Sequence, residues 1–126
     1  MPGIVVAAVE LGGLAAVAEM LDPEVFKATV RDLVERARTP LLEEGARVEV
    51  SPGHTLLGTW EDRSDGAVSA VAASLSILQA IQEAAREAER RLGIRFWTRI
   101  GVHAARDADV ENVTIVALAL KGHSRL

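Results

Sequence analysis

Hydrophobic and polar residues follow two different periods along the chain, and the changes of period divide it into eight segments. The first, Ile4 to Glu10, is a short run rich in Val and Ala before two glycines, which is typical of a buried strand. Apolar residues from Leu14 to Leu21 recur at helical spacing and predict a short helix.

Asp22-Pro23-Glu24 then supplies a cap, a proline for the first helical position and an early acid, so we predict a longer helix that ends near Gly45. Its expected inward face consists of Phe26, Val30, Leu33, Val34, Ala37 and Leu41.

The middle of the chain predicts a hairpin and a second long helix. Two alternating segments, Arg47 to Ser51 and His54 to Trp60, flank the tight-turn dipeptide Pro52-Gly53, which favours a β-hairpin. After a polar loop, Ser64 is the expected cap of a helix that runs to Leu92 and stops at Gly93. The residues expected to face inward on this helix are Val71, Leu75, Leu78, Ala85 and Leu92.

The last third predicts two strands, over 94–104 and 113–120, joined by a polar turn over 107–112. One face of the first strand carries Ile94, Phe96, Thr98, Ile100, Val102 and Ala104, and the other carries Arg95, Trp97, Arg99 and His103. The whole order is βααββαββ, which indicates an α+β, ferredoxin-like fold with the helices on one face of an antiparallel sheet. Because the sequence contains no internal repeat or linker, we expect residues 1–126 to form one domain.

Composition excludes several classes of protein. With 49% apolar and 25% charged residues, the chain has ordinary globular composition. A net charge of −4 with scattered arginines lacks the basic stripe of a nucleic-acid-binding protein. Cysteine is absent, which excludes disulfides and thiolate chemistry. The apolar N-terminal stretch lacks a basic start and is interrupted by Glu10 and Glu19, so we expect no targeting or membrane segment and place the chain in the cytoplasm.

Four stretches resemble class III nucleotidyl cyclase domains, the family of adenylate and guanylate cyclases. Ala15 to Glu24, AAVAEMLDPE, is similar to the family's segment after the first strand, and Glu44 to Val48 resembles the entry to the second strand. Leu92 to Ile94, followed by Arg99 to His103, is the nearest match, since the family typically reads Arg-Ile-Gly-Ile-His there. The resemblance implies a cyclase-like fold. Because the family continues into another helix and further strands, it also implies a C-terminally truncated domain.

The same resemblance implies that the catalytic residues have been replaced. In the family, two Asp residues hold two divalent metal ions; Glu10 and His54 stand in their places. Imidazole is a poor magnesium ligand, because magnesium prefers oxygen donors in octahedral order. Glu10 and His54 remain the candidate pair for a transition metal, but two ligands are too few for a closed site.

The remaining cleft positions also differ from the family. The purine-selecting Lys and its Asp partner correspond to Val50 and Leu118, and the ribose-positioning Asn corresponds to Lys121. Arg125 alone matches the family's transition-state arginine. One arginine without metal ions contributes little, because its effect depends on an organised charge field around the phosphates. We therefore expect no cofactor and poor nucleotide binding.

Trp97, flanked by Arg95 and Arg99, is the candidate protein contact. Trp and Arg are enriched at interfaces, and the alternation of the strand places Trp97 on the side away from the helices. Leu56 or Trp60, together with alternate residues of the last strand, is expected to extend the same patch. The resemblance implies that two domains meet on this face; the alternative is that Trp97 covers its own sheet edge.

These observations predict a catalytically inactive cyclase-like domain that acts through contacts with a second copy or with a protein partner. No nucleic-acid or membrane partner is expected. The alternative function is a ferredoxin-like sensor that binds a small ligand or nucleotide without turnover. An enzyme of another type is disfavoured because no nucleophile and base converge in the sequence.

Overall fold

The computed structural model describes residues 3–51, 53–105 and 116–119, and it confirms the predicted α+β order. The eight elements are β1 (Ile4–Gly12), α1 (Leu14–Met20), α2 (Pro23–Glu43), β2 (Arg47–Val50), β3 (Thr55–Glu61), α3 (Gly66–Leu92), β4 (Trp97–Ala105) and β5 (Val116–Ala119). Strands β4 and β5 were expected over 94–104 and 113–120; the polar turn expected over 107–112 lies outside the described residues.

The five strands form one antiparallel sheet in the order β2-β3-β1-β4-β5. β1 is therefore central, with Glu10 opposite Thr55 of β3 on one side and opposite Arg99 of β4 on the other. Alternate residues of β1 are buried beneath the helices, including Ala7 and Val9. This alternation leaves the other set of side chains on the opposite face of the sheet.

Helix α2 begins and packs as its sequence predicts. The Asp22 carboxylate accepts a hydrogen bond from the Glu24 backbone N–H at 2.9 Å, and Pro23 takes the first helical position. Leu33, Ala37 and Leu41 are buried. The other expected inward residues, Phe26, Val30 and Val34, are partly buried at the edge of the core.

Helix α3 presents a different face to the sheet from the one predicted. Its buried large residues are Ile77 and Ile81, among small neighbours, whereas Val71, Leu75 and Leu92 are 47%, 61% and 45% exposed. The prediction was wrong for these three residues, because a stripe of Ala, Ser and Gly lets the helix approach the sheet more closely. The residues of the buried stripe are Gly66, Ser69, Ala70, Ala73, Ser74, Ile77 and Ile81. Leu78 and Ala85 are partly buried against the core.

Helix α3 is also long enough and apolar enough to span a membrane, with a mean hydropathy of 1.3 over eighteen residues. In the structure, one side of this helix packs against β1, β3 and β4. A helix that packs in the core of a folded domain passes the same compositional test, so this property alone does not indicate a membrane.

A cluster around Arg63 joins the end of α2 to the start of α3. The backbone carbonyl of Glu44 accepts hydrogen bonds from Trp60 Nε1 at 2.9 Å and from Arg63 Nη1 at 3.1 Å. Arg63 also donates twice to the Asp65 carboxylate, at 2.9 and 3.0 Å. This hydrogen bonding lowers the pKa of Asp65 and raises that of Arg63. Asp65, and not the expected Ser64, is the residue before the helix.

Candidate functional site

The face of the sheet opposite the helices is the candidate site, and it is called the outer face below. Its centre is apolar: Ala8 lies opposite Leu57 and Gly101, and Val6 lies opposite Thr59 and His103. The half-buried side chains of the outer face are Ile4, Val6, Ala8, Glu10, Thr55, Leu57, Thr59, Trp97, Arg99 and His103. Among the described residues, no helix covers this face.

Glu10 and Arg99 form an ion pair across β1 and β4. They are direct cross-strand neighbours, and Arg99 Nη1 lies 3.4 Å from Glu10 Oε1. The Arg99 guanidinium also lies 4.8 Å from the centre of the Trp97 ring, within cation–π distance. Glu10, the first of the two expected metal positions, is thus paired with a cation.

The Trp97 indole lies over Gly12, its cross-strand partner. A Cβ atom at Gly12 would clash with three carbons of the indole, Cη2, Cζ2 and Cε2. The ring therefore contacts both the backbone of β1 at Gly12 and the Arg99 guanidinium. Trp97 therefore covers the end of the central strand β1, and its side chain is partly buried. The sequence placed Gly12 only after the first strand; the contact with Trp97 depends on the β1–β4 register, which sets these two residues opposite each other.

His54 lies in the turn between β2 and β3, beside Glu10. Its backbone is left-handed, with φ of 62°, and its carbonyl accepts a hydrogen bond from the Leu11 N–H at 3.3 Å. The backbone of His54 and the side chain of Glu10 therefore lie at the same end of the sheet. Within residues 3–51, 53–105 and 116–119, however, no three His, Asp or Glu residues are grouped to hold a metal ion. With one carboxylate engaged by Arg99 and one imidazole, these donors do not fit the family's magnesium pair.

The other cleft positions divide between described and undescribed residues. Val50, which the resemblance sets at the purine-selecting position, is the last residue of β2 and is 42% exposed; it pairs with Leu56, whose side chain faces the helices and not the outer face. Leu118 lies in β5 opposite Ile100. Lys121 and Arg125 lie outside the described residues.

Three of the five residues predicted to form the protein contact lie elsewhere. Trp60 is 1% exposed and Leu56 is fully buried, because both alternate toward the helices on β3. Arg95 precedes β4 and pairs with Glu89 of α3 at 3.0 Å, on the helical side. Trp97 and Arg99 alone remain on the outer face.

Comparison with known proteins gives structural matches only: no family model and no curated protein matches the sequence. The adenylyl cyclase CyaB from P. aeruginosa superposes with a TM-score of 0.72 at 15% identity, over 99% of this chain and 70% of that one. The guanylate cyclase domain of RhGC from Catenaria anguillulae, in complex with GTP, superposes with a TM-score of 0.66 at 18% identity. The match covers 83% of this chain and 58% of that one.

A third similar structure is the non-canonical dimeric guanylyl cyclase domain of RhoGC from Blastocladiella emersonii. Its TM-score is 0.65 at 16% identity, over 83% of this chain and 58% of that one. The chain thus spans between 58% and 70% of the length of these three structures. At these identities the matches establish the architecture, and the chain has the fold of class III adenylyl and guanylyl cyclase domains.

Proposed function

We propose that this chain is a catalytically inactive cyclase-fold domain whose outer face binds protein, in the first instance a second copy of itself. The observation that carries the proposal is the Glu10–Arg99 ion pair at 3.4 Å. It places a guanidinium beside the carboxylate that, in a cyclase, would have to bind a metal ion.

The replaced donors argue against nucleotidyl transfer. Phosphoryl chemistry of this kind needs metal ions to position the triphosphate and to neutralise the developing charge. Here a metal ion would compete with Arg99 for the Glu10 carboxylate and would need further oxygen ligands, while His54 offers a nitrogen. At the position where the family has its purine-selecting lysine, Val50 has an aliphatic side chain that cannot donate a hydrogen bond.

The composition of the outer face argues for a protein contact. Val6, Ala8 and Leu57 form an apolar centre, and Trp97 and Arg99 at one end are residue types enriched in interfaces. The dimeric RhoGC domain shares this fold. Charge balance also suits self-association, because Arg99 and Arg47 are each paired with a glutamate on the same face, at 3.4 and 3.2 Å.

The first test is of activity. The purified chain is incubated with ATP or GTP and Mn²⁺, which tolerates imidazole ligands better than Mg²⁺ does, and cyclic nucleotide is quantified. We expect no product above the protein-free background. Product that is lost in a Glu10→Gln variant would come from this cleft and would refute the inactive assignment.

The second test is of assembly, by light scattering over a range of concentrations. We expect a dimer at high micromolar concentration, and we expect Trp97→Ala to weaken it by about tenfold or more, as for an interface anchor. Leu75→Ala, which truncates an exposed residue on the opposite side of the molecule, is the matched control and should not change the dimer. A wild-type chain that stays monomeric at high micromolar concentration would contradict the proposal.

A further inference from the structure

A second surface lies on the helical side, in a groove between α2 and the C-terminal half of α3. The groove has a volume of about 630 Å³. Its floor includes the buried side chains of Leu33 and Phe96. It exists because small residues, Ala28 on α2 and Ala84 and Ala88 on α3, face each other where larger ones would close the space.

One end of the groove exposes large apolar side chains. Val25 and Leu92 are each 45% exposed, and both line it. Exposed apolar residues scattered singly need no explanation, whereas their convergence in one concave site indicates a binding surface. The groove follows residues 24–36 of α2, which at 1.5 Å per residue amounts to roughly 18 Å, or about three helical turns.

The rim of the groove is acidic. It carries four carboxylates, from Glu24, Asp32, Glu83 and Glu87, and two guanidinium groups, from Arg36 and Arg91. Both guanidiniums are engaged within their own helices, Arg36 by Asp32 at 2.8 Å and Arg91 by Glu87 at 3.8 Å.

The remaining carboxylates lie on opposite walls. Glu24 on α2 has only Lys27 at 4.0 Å, and Glu83 on α3 has no ion pair among the described residues. The rim of the groove therefore keeps a net negative charge, with Glu83 as the carboxylate that no cation pairs with among the described residues.

We propose that this groove binds an amphipathic, basic helical segment of a partner protein. Such a segment places apolar side chains at helical spacing against the exposed surfaces of Val25 and Leu92. Its flanking Lys or Arg residues meet Glu24 and Glu83, which favours basic over acidic segments. The groove and the outer face lie on opposite sides of the sheet. The inference therefore does not depend on self-association and adds a second partner to it.

The probe is a fluorescent fourteen-residue peptide of Leu and Lys with an amphipathic helical pattern, titrated by anisotropy. A peptide in which every Lys is replaced by Glu is the charge control. We expect binding in the tens of micromolar for the Leu/Lys peptide and none for the Leu/Glu peptide. Glu83→Lys should weaken binding by about fivefold or more, since like charges then face each other.

Glu19→Lys is the matched control, because it makes the same change of charge on the exposed side of α1, outside the groove. It should change the affinity by less than about twofold at physiological salt, where distant charges are screened. Amide shifts should map the peptide to Ala28, Ala84 and Ala88.

Three results would overturn the inference: no binding of the Leu/Lys peptide, equal weakening by Glu19→Lys and Glu83→Lys, or shifts that map to Val6 and Ala8 instead. None of these readouts depends on dimer formation or on cyclase activity, so a failure here is distinguishable from a failure of the proposed function.

Discussion

The Trp97 side chain shows how one glycine shapes the outer face. The indole occupies the space that a side chain at Gly12 would fill, and the Arg99 guanidinium packs on the ring. Arg99 is in turn paired with Glu10, so the side chains of Glu10, Arg99 and Trp97 form a continuous row of contacts that ends at Gly12. Each contact is modest: an exposed cation–π contact contributes about 0.5–1 kcal/mol and an exposed ion pair about 0.2–1 kcal/mol. Together these contacts hold the Trp97 ring in one orientation on the outer face, where it is partly exposed.

This row of contacts predicts the effect of a single methyl group. Gly12→Ala should lower the free energy of unfolding by about 1–3 kcal/mol, because the added Cβ atom displaces the whole ring. Urea unfolding followed by circular dichroism measures the change. Gly53→Ala is the matched control, since a Cβ atom there meets nothing within 4 Å and the backbone φ is not positive.

The double variant provides the test of mechanism. In a Trp97→Ala background, Gly12→Ala should become nearly neutral, since the atoms with which it clashes are gone. If Gly12→Ala costs the same with and without the indole, the loss comes from the strand backbone and the explanation by contact with the indole is wrong.

At the scale of secondary-structure elements, α3 has two apolar stripes and only one of them is buried. Ala70, Ala73 and Ile77 face the sheet, while Val68, Val71 and Leu75 lie on the exposed side. A helix that is apolar on all sides does not indicate its own orientation. From Gly66 to Gln82 this helix carries no charged residue that would mark a solvent face.

Truncation to alanine should lower the free energy of unfolding strongly on the buried stripe of α3 and hardly at all on the exposed stripe. Ile77→Ala should destabilise the fold by about 2–5 kcal/mol, because it leaves a cavity between α3 and the sheet. Leu75→Ala, at a position 61% exposed, should change the free energy of unfolding by no more than about 0.5 kcal/mol. Thermal or urea unfolding of both variants distinguishes them. Equal losses would mean that the exposed stripe is covered in solution.

The elements that were correctly predicted are those with distinctive ends or strict alternation. Helix α2 was located by Asp22 and Pro23, and β4 by alternation from Thr98 to Ile100 on the buried side. The site was predicted less well. The position of Glu10 at the cleft followed from the family resemblance, but its partner Arg99 depends on the β1–β4 register, which no local pattern encodes. Trp60 was misassigned because its indole N–H finds the Glu44 carbonyl, a partner far away in the sequence.

For the whole molecule, the sheet separates two surfaces of different charge. On the outer face, Glu10 is paired with Arg99 and Glu61 with Arg47, which leaves Glu49 on the edge strand β2 as the excess charge. The groove between α2 and α3 has a net charge of −2 on its rim. A nearly balanced face can meet a copy of itself without strong repulsion, whereas an acidic groove favours a basic partner.

This separation predicts that variants on the two surfaces act independently. Leu57→Lys, on the outer face, should weaken the dimer by about tenfold or more by placing a charge in its apolar centre. It should leave affinity for the Leu/Lys peptide within about twofold, as expected for sites with no shared contacts. Glu83→Lys should do the reverse, weakening peptide binding while light scattering reports an unchanged dimer. If either variant impairs both interactions to the same extent, the two surfaces are coupled through the sheet, and their assignment to separate partners is wrong.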